Sequence, residues 1–209
     1  MAIIKSGASS DQLTIDATSK AARATLYDAA GRAIAFESKA TFYASGNFTP
    51  AATPTDLVTI FGSASKTIRV LSMKIGTQNT AAGSQAFFLI KRSAANTTGT
   101  FVAGTAVQAD SSDAAATATV GHYTANPGGL GTSAGNVNIK RVASPVLLPA
   151  TFAGIVQQSE VEMIDQALLS LVAKKLVLNG TAQGLCINFN GAALVSGQVH
   201  NWQVIWTEE

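Results

Sequence analysis

Three apolar runs of strand length follow one another between Asp56 and Arg92. Each run is rich in β-branched and large apolar residues, and short stretches of Gly, Ser, Thr, Ala and Asn separate them. Apolar runs bounded by small polar residues are typical of antiparallel strands that surface loops connect. The pattern therefore predicts that the main sheet of the protein begins here. The runs are Asp56–Gly62, Lys66–Gly76 and Gln85–Arg92.

The middle run changes the face on which its apolar residues lie. Ile68 and Val70 share one face of an extended strand, whereas Leu71, Met73 and Ile75 share the other. Because side chains alternate between the two faces, one extra residue near Val70, a β-bulge, would restore a single buried face. A strand that is covered on both faces is the alternative.

Two strongly alternating runs, Leu185–Phe189 and Trp202–Trp206, stand near the C-terminal end. We expect them to pair with the strands of Asp56–Arg92, as a closed sandwich requires. Strand candidates recur along the whole chain, roughly every 10 to 20 residues, with few helical patterns between them. The predicted fold class is all-β, a jelly-roll-like antiparallel β-sandwich with an extended N-terminal arm and at most one or two short helices.

Weaker patterns fill the interval between these runs. Val161, Ile164 and Leu168 recur with helical spacing, so a short helix is expected from about Asp165 to Ala173, although Val161–Ile164 also fits a strand. Asn126–Gly135 is expected to be a mobile surface loop. The remaining strand candidates are Thr41–Ala44, Phe101–Ala103, Ala106–Gln108, Ala114–Tyr123 and Asn136–Val142.

The first 40 residues differ from the rest by their thin apolar content. Short extended pieces are predicted, among them Ala24–Tyr27 and Ala33–Phe36, joined by a hairpin turn at Asp28–Gly31. Ser19–Ala24 fits one helical turn as an alternative. Such a segment buries little apolar surface by itself, so we expect it to contact a partner. The chain is divided accordingly into an N-terminal arm or anchoring segment, residues 1–40, and a β-sandwich domain, residues 41–209.

The composition favours a structural protein over an enzyme. Charged residues make up only 12% of the 209 residues, about half the usual share of a globular protein, and the net charge is +2. A surface that is poor in charge and rich in small hydroxyl and amide side chains suits β-structure or tight packing in an assembly. No basic run exceeds two residues, which argues against a nucleic-acid partner. No apolar run approaches the roughly 18 residues of a membrane span, so no membrane partner is expected.

The sequence carries no recognisable catalytic motif. Gly128–Gly135 lacks the following helix and the Lys-Ser/Thr pair that a phosphate-binding loop needs. His122 and His200 have no further ligands at metal-site spacing and are interpreted as strand-edge or interface residues. Cys186 is the single cysteine, which excludes an intramolecular disulfide, and it is interpreted as a small packed residue. A hydrolase built from these side chains is the least favoured function.

Two other groups admit both a structural and a functional interpretation. Glu160, Glu162 and Asp165 could serve glycoside hydrolysis or calcium binding, but a solvated strand end or helix start is favoured. Trp202 and Trp206 share one strand face, and such aromatics form a core, a subunit interface or, if they are exposed, a sugar-binding platform. The core or interface is favoured. We therefore predict no catalytic residue, no metal and no cofactor.

Segments at both ends of the chain are similar to structural proteins of tailed bacteriophages. Lys5–Asp16 and Lys20–Gly31 resemble the N-terminus of such proteins, and Asn179–Asn190 and Trp202–Glu209 resemble their last strands. The resemblance implies a virion protein, a jelly-roll cement, decoration or head-fibre module that forms a homo-oligomer, with a trimer favoured. The group has no catalytic motif to compare.

This interpretation places the protein in the virion, at the surface of the capsid or the head and neck. The expected partners are the major capsid protein or another virion structural protein, and further copies of the same chain. The expected function is non-enzymatic stabilisation of that assembly through the arm and the sandwich. The alternative is a receptor- or carbohydrate-binding module on the virion surface. The residues expected at interfaces are Leu13, Ile15, Leu26, Tyr27, Trp202 and Trp206.

Overall fold

The chain divides into two units, Met1–Ser38 and Lys39–Glu209. A computed structural model describes residues 26–27, 33–34, 39–79, 81, 83–144, 158–165 and 176–209. In the first unit, strand β1 (Leu26–Tyr27) pairs antiparallel with β2 (Ala33–Ile34). This pairing confirms the predicted hairpin, while Leu13 and Ile15 lie outside the described residues.

In the described part of the second unit, twelve strands form two antiparallel sheets. No described residue of either unit lies in a helix, so the all-β prediction is confirmed. The strands are β3 (Ala40–Phe48), β4 (Asp56–Phe61), β5 (Ile68–Gln78), β6 (Gly83–Arg92), β7 (Thr100–Ala103), β8 (Val107–Gln108), β9 (Thr119–Ala125), β10 (Ser133–Ser144), β11 (Gln158–Asp165), β12 (Val177–Leu178), β13 (Gly184–Asn188) and β14 (Val199–Glu208).

The strand order is that of a jelly roll. One sheet has the order β10-β6-β13-β4-β9-β7, and the other has the order β11-β5-β14-β3-β8, with β12 also paired to β5. Four strands of each sheet, β10-β6-β13-β4 and β11-β5-β14-β3, form the two interlocked Greek keys of that fold. We call them the β13 sheet and the β14 sheet after their central strands. The predicted pairing of the two C-terminal strands with Asp56–Arg92 is confirmed, because β13 lies between β4 and β6 and β14 pairs with β5.

The segment between β6 and β10, residues 93–132, is an insertion in this scheme. Its strands β7 and β9 extend the β13 sheet beyond β4, and its strand β8 extends the β14 sheet beyond β3. The candidates at Phe101–Ala103 and Ala106–Gln108 are therefore strands, although short ones. Adding strands to the β4 and β3 edges of both sheets widens the sandwich on one side.

The predicted strand from Ala114 to Tyr123 is wrong over its first five residues, because β9 starts only at Thr119. The backbone N–H groups of Thr117 and Ala118 donate to the carboxylate of Glu208, at N–O distances of 2.9–3.0 Å, instead of to a neighbouring strand. Because a side chain satisfies those donors, the segment does not require the backbone hydrogen bonds of a neighbouring strand. Glu208 is itself buried and also accepts from the indole of Trp206.

The parity change in β5 is a β-bulge at Leu71. Ile205 of β14 pairs with Ser72 and the next residue, Trp206, pairs with Val70, so Leu71 has no partner on β14. The extra residue puts Val70 and Met73 on the same buried face, while Leu71 is half-buried. Of the two alternatives, the β-bulge near Val70 is thus the one observed.

The space between the sheets is filled by large apolar side chains from both. Trp206 is fully buried and stacks on Phe42, with ring centroids 5.6 Å apart. Trp202 fits a slot between two glycines, because a Cβ at Gly46 would lie 3.0 Å and one at Gly104 2.6 Å from its indole. Both tryptophans are core residues of one chain, so their side chains offer neither a subunit interface nor a sugar-binding platform.

The segment around residues 160–173 is a strand where the structure describes it. Strand β11 pairs with β5 from Gln158 to Asp165, which confirms the extended alternative for Val161–Ile164. Residues 166–173 of the expected helix lie outside the described residues.

We predict that Met73→Ala lowers the free energy of unfolding by about 3 kcal/mol, because it leaves a cavity between the sheets. Leu71→Ala is expected to cost about 1 kcal/mol or less, since its side chain is half-exposed at the bulge. Denaturation in guanidinium chloride measures both. Equal costs would contradict the bulge, because a regular strand would put both side chains on one face.

Candidate functional site

The β13 sheet is buried on both of its faces around its centre. Every residue of β4 and of β13 is buried. Val58 and Ile187 form a pair on the face that packs against the β14 sheet, whereas Thr59 and Cys186 form a pair on the opposite, outer face. The insertion covers this outer face and encloses polar groups there. A buried polar cluster outside the core is the strongest candidate for a functional site.

The centre of the cluster is an ion pair between Asp56 and Arg92. Arg92 Nε donates to Asp56 Oδ2 and Arg92 Nη2 to Asp56 Oδ1, each at 2.7 Å. The two side chains are 0% and 4% exposed. Asp56 lies opposite Asn188 and Arg92 lies opposite Gly184, so the guanidinium reaches across β13 to the carboxylate. This bidentate geometry is the strongest arrangement that the two groups have.

Amide and carbonyl groups satisfy the rest of the pair. The side-chain amides of Asn96 and Asn188 donate to the Asp56 carboxylate at 2.7 and 2.6 Å. Arg92 Nη1 donates to the carbonyl oxygen of Gly131, whose own N–H donates to Asn96 Oδ1. The segment that contains Asn96 and the segment that contains Gly131 are also joined by two backbone hydrogen bonds, one in each direction, between Thr97 and Gly129. Hydrogen bonds therefore anchor residues 126–132 over the sheet, and Ser133–Gly135 belong to β10, which corrects the expectation of a mobile surface loop over Asn126–Gly135.

The electrostatics of the cluster favour structure over reactivity. Burial would lower the pKa of the Arg92 guanidinium, but its hydrogen bonds to Asp56 and the charge of that carboxylate raise the pKa above its usual value. Burial raises the pKa of the Cys186 thiol well above its ordinary value, so the sulfur stays protonated and unreactive. The prediction of a small packed cysteine is confirmed by its complete burial.

A cleft of about 300 Å³ opens beside this cluster, at the edge formed by the insertion. Phe61 and Tyr123 are buried at its base, and the ring of Phe101 lies 5.1 Å from that of Tyr123, measured between centroids. Burial raises the pKa of the Tyr123 hydroxyl. The other lining residues are Ala95, Asn96, Thr98, Thr119 and Thr181. Within the part of the chain that the structure describes, the lining is aromatic and neutral-polar without a charged side chain.

The two histidines are core residues, which corrects their assignment to strand edges or interfaces. His122 pairs with Val58 on the inner face of its sheet, stacks on Phe48 at 4.4 Å and accepts a hydrogen bond from the Trp202 indole at 3.3 Å. His200 is fully buried, and its Nδ1 lies 3.1 Å from the Thr77 hydroxyl. Sequence reasoning missed the burial of the histidines, because it depends on their pairing with apolar residues of neighbouring strands, which the sequence alone does not reveal.

Burial also fixes the protonation state of both rings. It lowers the pKa of His122, and it lowers the pKa of His200 from 6.5 to about 4, against the opposing effect of a hydrogen bond from the ring to the backbone of Gly76. His200 Nε2 has no hydrogen-bond partner in the part of the chain that the structure describes. Both imidazoles are neutral at physiological pH and lie between the two sheets, whereas Cys186 lies on the outer face of the β13 sheet. The three side chains therefore do not form a nucleophile–base pair.

The acidic cluster on β11 is engaged with its neighbour strand. Glu160 and Glu162 lie 3.6 and 3.5 Å from the Lys74 ammonium group, and Ser72 donates to Glu162 at 3.1 Å. Within the described ranges, no group of three or more His, Cys, Asp or Glu residues is arranged to hold a metal ion. The solvated strand end is thus the interpretation that the contacts support.

The predicted interface residues fall into two groups. Leu26 and Tyr27 lie in β1, but the structure does not describe their side chains, and their role stays a prediction together with that of Leu13 and Ile15. The two tryptophans are core residues, as described above. Asp56 and Arg92 were not predicted, because a charge at the end of an apolar run is usually solvated.

No protein-family model, curated protein or solved structure matches this chain. Among the residues that the structure describes, no helix is long and apolar enough to cross a membrane.

We predict that Asp56→Asn lowers the free energy of unfolding by about 3–5 kcal/mol, because it leaves the Arg92 charge buried without a counter-charge. The matched control is Glu160→Gln, which breaks an exposed ion pair with Lys74 and is expected to cost about 1 kcal/mol or less. Urea denaturation compares the variants. The double variant Asp56→Asn/Arg92→Gln should lose less than the two single costs combined. Strict additivity would show that the two charges do not depend on each other.

The fold should lose stability as the pH falls from 6.5 to about 4, where unfolded His200 is protonated and folded His200 is not. Because the folded pKa is lowered, the loss grows to about 3 kcal/mol across this interval. Urea denaturation at neutral pH and at about pH 5 measures most of this loss, near the upper limit of the range in which carboxylates contribute. In His200→Gln, which keeps a polar partner for Thr77, the pH dependence should be much weaker. An unchanged pH dependence in this variant would exclude His200 as its source.

Proposed function

We propose that this chain is a non-enzymatic structural protein of a tailed-bacteriophage virion. It binds and stabilises the capsid or the head and neck assembly, with the major capsid protein or another virion structural protein as its partner. The resemblance of both chain ends to such proteins supports the proposal, and so does the jelly-roll strand order. The observation that carries it is the division of the chain into a separate N-terminal unit and a closed sandwich at Ser38–Lys39.

The first strand of the sandwich is well placed to take a load from an anchored arm. β3 begins directly after the N-terminal unit and pairs with β14 from Ala40 to Phe48 without a break. A pull along the arm would shear this ladder, so its hydrogen bonds would share the load instead of breaking one after another. This is the arrangement that an anchoring segment needs.

Charged side chains also hold the start of β3 in place. Glu209 accepts hydrogen bonds from Lys39 and from Arg69, whose Nε lies 2.6 Å from the carboxylate. The backbone groups of Glu209 and Thr67 are hydrogen-bonded in both directions. The hydrogen bonds and charges of Arg69 and Lys39 lower the pKa of Glu209 to about 2, so the contacts persist in mild acid. They tie the start of β3 to the end of β14 and to the start of β5.

Self-association completes the proposal, with a trimer favoured. β10 is a 12-residue strand at the edge of its sheet, and Val137 and Ile139 on it are exposed. Edge strands that carry apolar side chains suit contacts between subunits. Two register irregularities in β10 limit continuous strand pairing and favour contact through side chains.

Deleting residues 1–38 should abolish incorporation of the protein into particles, while the remaining sandwich keeps its fold and its thermal unfolding transition. Particles assembled with full-length or truncated protein are purified and their content of this chain is measured. In the full-length chain, Leu13→Asp/Ile15→Asp should also abolish incorporation, whereas the matched control Thr14→Asp should not. Normal incorporation of a folded truncated protein would refute anchoring by the N-terminal unit.

A further inference from the structure

The cleft beside the ion pair is a product of the insertion. Asn96, Thr98, Phe101, Thr119 and Tyr123 all belong to residues 93–132. The jelly-roll strands contribute Phe61, and the loop after β12 contributes Thr181. Folds acquire new sites through segments that are added to a rigid scaffold, so a cleft made almost wholly by an insertion is a candidate binding site.

We propose that this cleft binds one neutral sugar unit of a glycan. Aromatic rings line one part of it, and these offer a flat apolar surface to the C–H groups of a pyranose ring. Three threonine hydroxyls line the remainder and exchange hydrogen bonds with ring hydroxyls, while the Asn96 amide beside them is held by Asp56 and Gly131. A few placed polar groups in a mostly apolar lining are typical of small-ligand sites.

The charges nearby select a neutral ligand. None of the described lining residues is charged, and the Asp56–Arg92 pair beside the cleft is already hydrogen-bonded to its own partners. An acidic sugar or a phosphate would lose its hydration without gaining a counter-charge. Desolvation of an unpaired charge is costly, so the cleft discriminates against such ligands.

The polar rim is held in place before any ligand binds. Thr98 has a φ of 56°, in the left-handed region that β-branched residues rarely adopt. Its hydroxyl accepts a hydrogen bond from the N–H of Gly128 at 2.9 Å, which ties it to the facing loop. Asn96 is fixed by Asp56 and by Gly131. A rigid rim lowers the entropic cost of binding.

The aromatic ring that the ligand would contact is also supported from below. A Cβ at Gly121 would lie 2.6 Å from the ring of Phe101, so the ring rests on the backbone of β9. Phe101 is half-buried and belongs to β7, the outermost strand of the sheet. One face of the lining can therefore be altered without disturbing the core.

Saturation-transfer NMR on the full chain tests the proposal, with the methyl glycosides of glucose, galactose and mannose and with N-acetylglucosamine as probes. At least one of them should receive saturation, strongest at its ring C–H groups. Phe101→Leu, which keeps an apolar side chain but removes the ring, should weaken binding about tenfold. Thr119→Val, which has the same shape without the hydroxyl, should weaken it about fivefold. The matched control is Tyr43→Leu, which removes an exposed aromatic residue of the β14 sheet and should leave binding unchanged.

Three results would overturn the proposal. They are the absence of saturation transfer to every neutral probe, stronger binding of sialic acid or of p-cresol than of the neutral sugars, and binding that neither Phe101→Leu nor Thr119→Val weakens. Unchanged thermal unfolding of the variants separates loss of the site from loss of the fold. The test uses the isolated protein, so its outcome is independent of incorporation into a virion.

Discussion

A charged pair buried on the outer face of a sheet sets the condition that the rest of that surface has to meet. Moving Asp56 and Arg92 out of water costs several kcal/mol, which their attraction offsets only if every remaining hydrogen-bonding position is filled. Asn96 and Gly131 fill two of these positions from the insertion, and Asn188 fills one from β13. Neither the segment with Asn96 nor the segment with Gly131 can therefore lift without leaving a hydrogen-bonding position of the buried pair unfilled.

Much of the fold could be predicted because its strongest strands are periodic in sequence. The runs at Asp56–Arg92 and the two C-terminal runs alternate or are continuously apolar, and these strands form the centres of both sheets. Even the bulge at Leu71 is visible in the sequence, since one extra residue shifts the alternation of apolar and polar positions in the rest of the strand. The insertion was predicted less well, because β7 and β8 are only a few residues long and Thr117 and Ala118 bond to a carboxylate far away in the sequence.

The candidate site was beyond prediction for a different reason. Asp56 and Arg92 are 36 residues apart, and they meet only because β13, from much later in the chain, lies between their strands. Each looks like an ordinary charged residue at a strand end. The histidines and tryptophans illustrate the same limit, since alternation indicates that a strand has two faces but not which of them meets the second sheet. Phe61, Tyr123 and Thr181 likewise come together only through the sheet order.

The position of β14 has a consequence for how the protein acquires its fold. This strand is central in its sheet, between β3 and β5, yet it follows every other strand of the sandwich in sequence. During synthesis, β3 and β5 are therefore made long before the strand that joins them, and each has a row of backbone donors and acceptors that nothing in the nascent sheet satisfies. Pairing of this kind is non-local and slow. Until β14 is made, two open strand edges of every copy are therefore able to capture a strand from another copy.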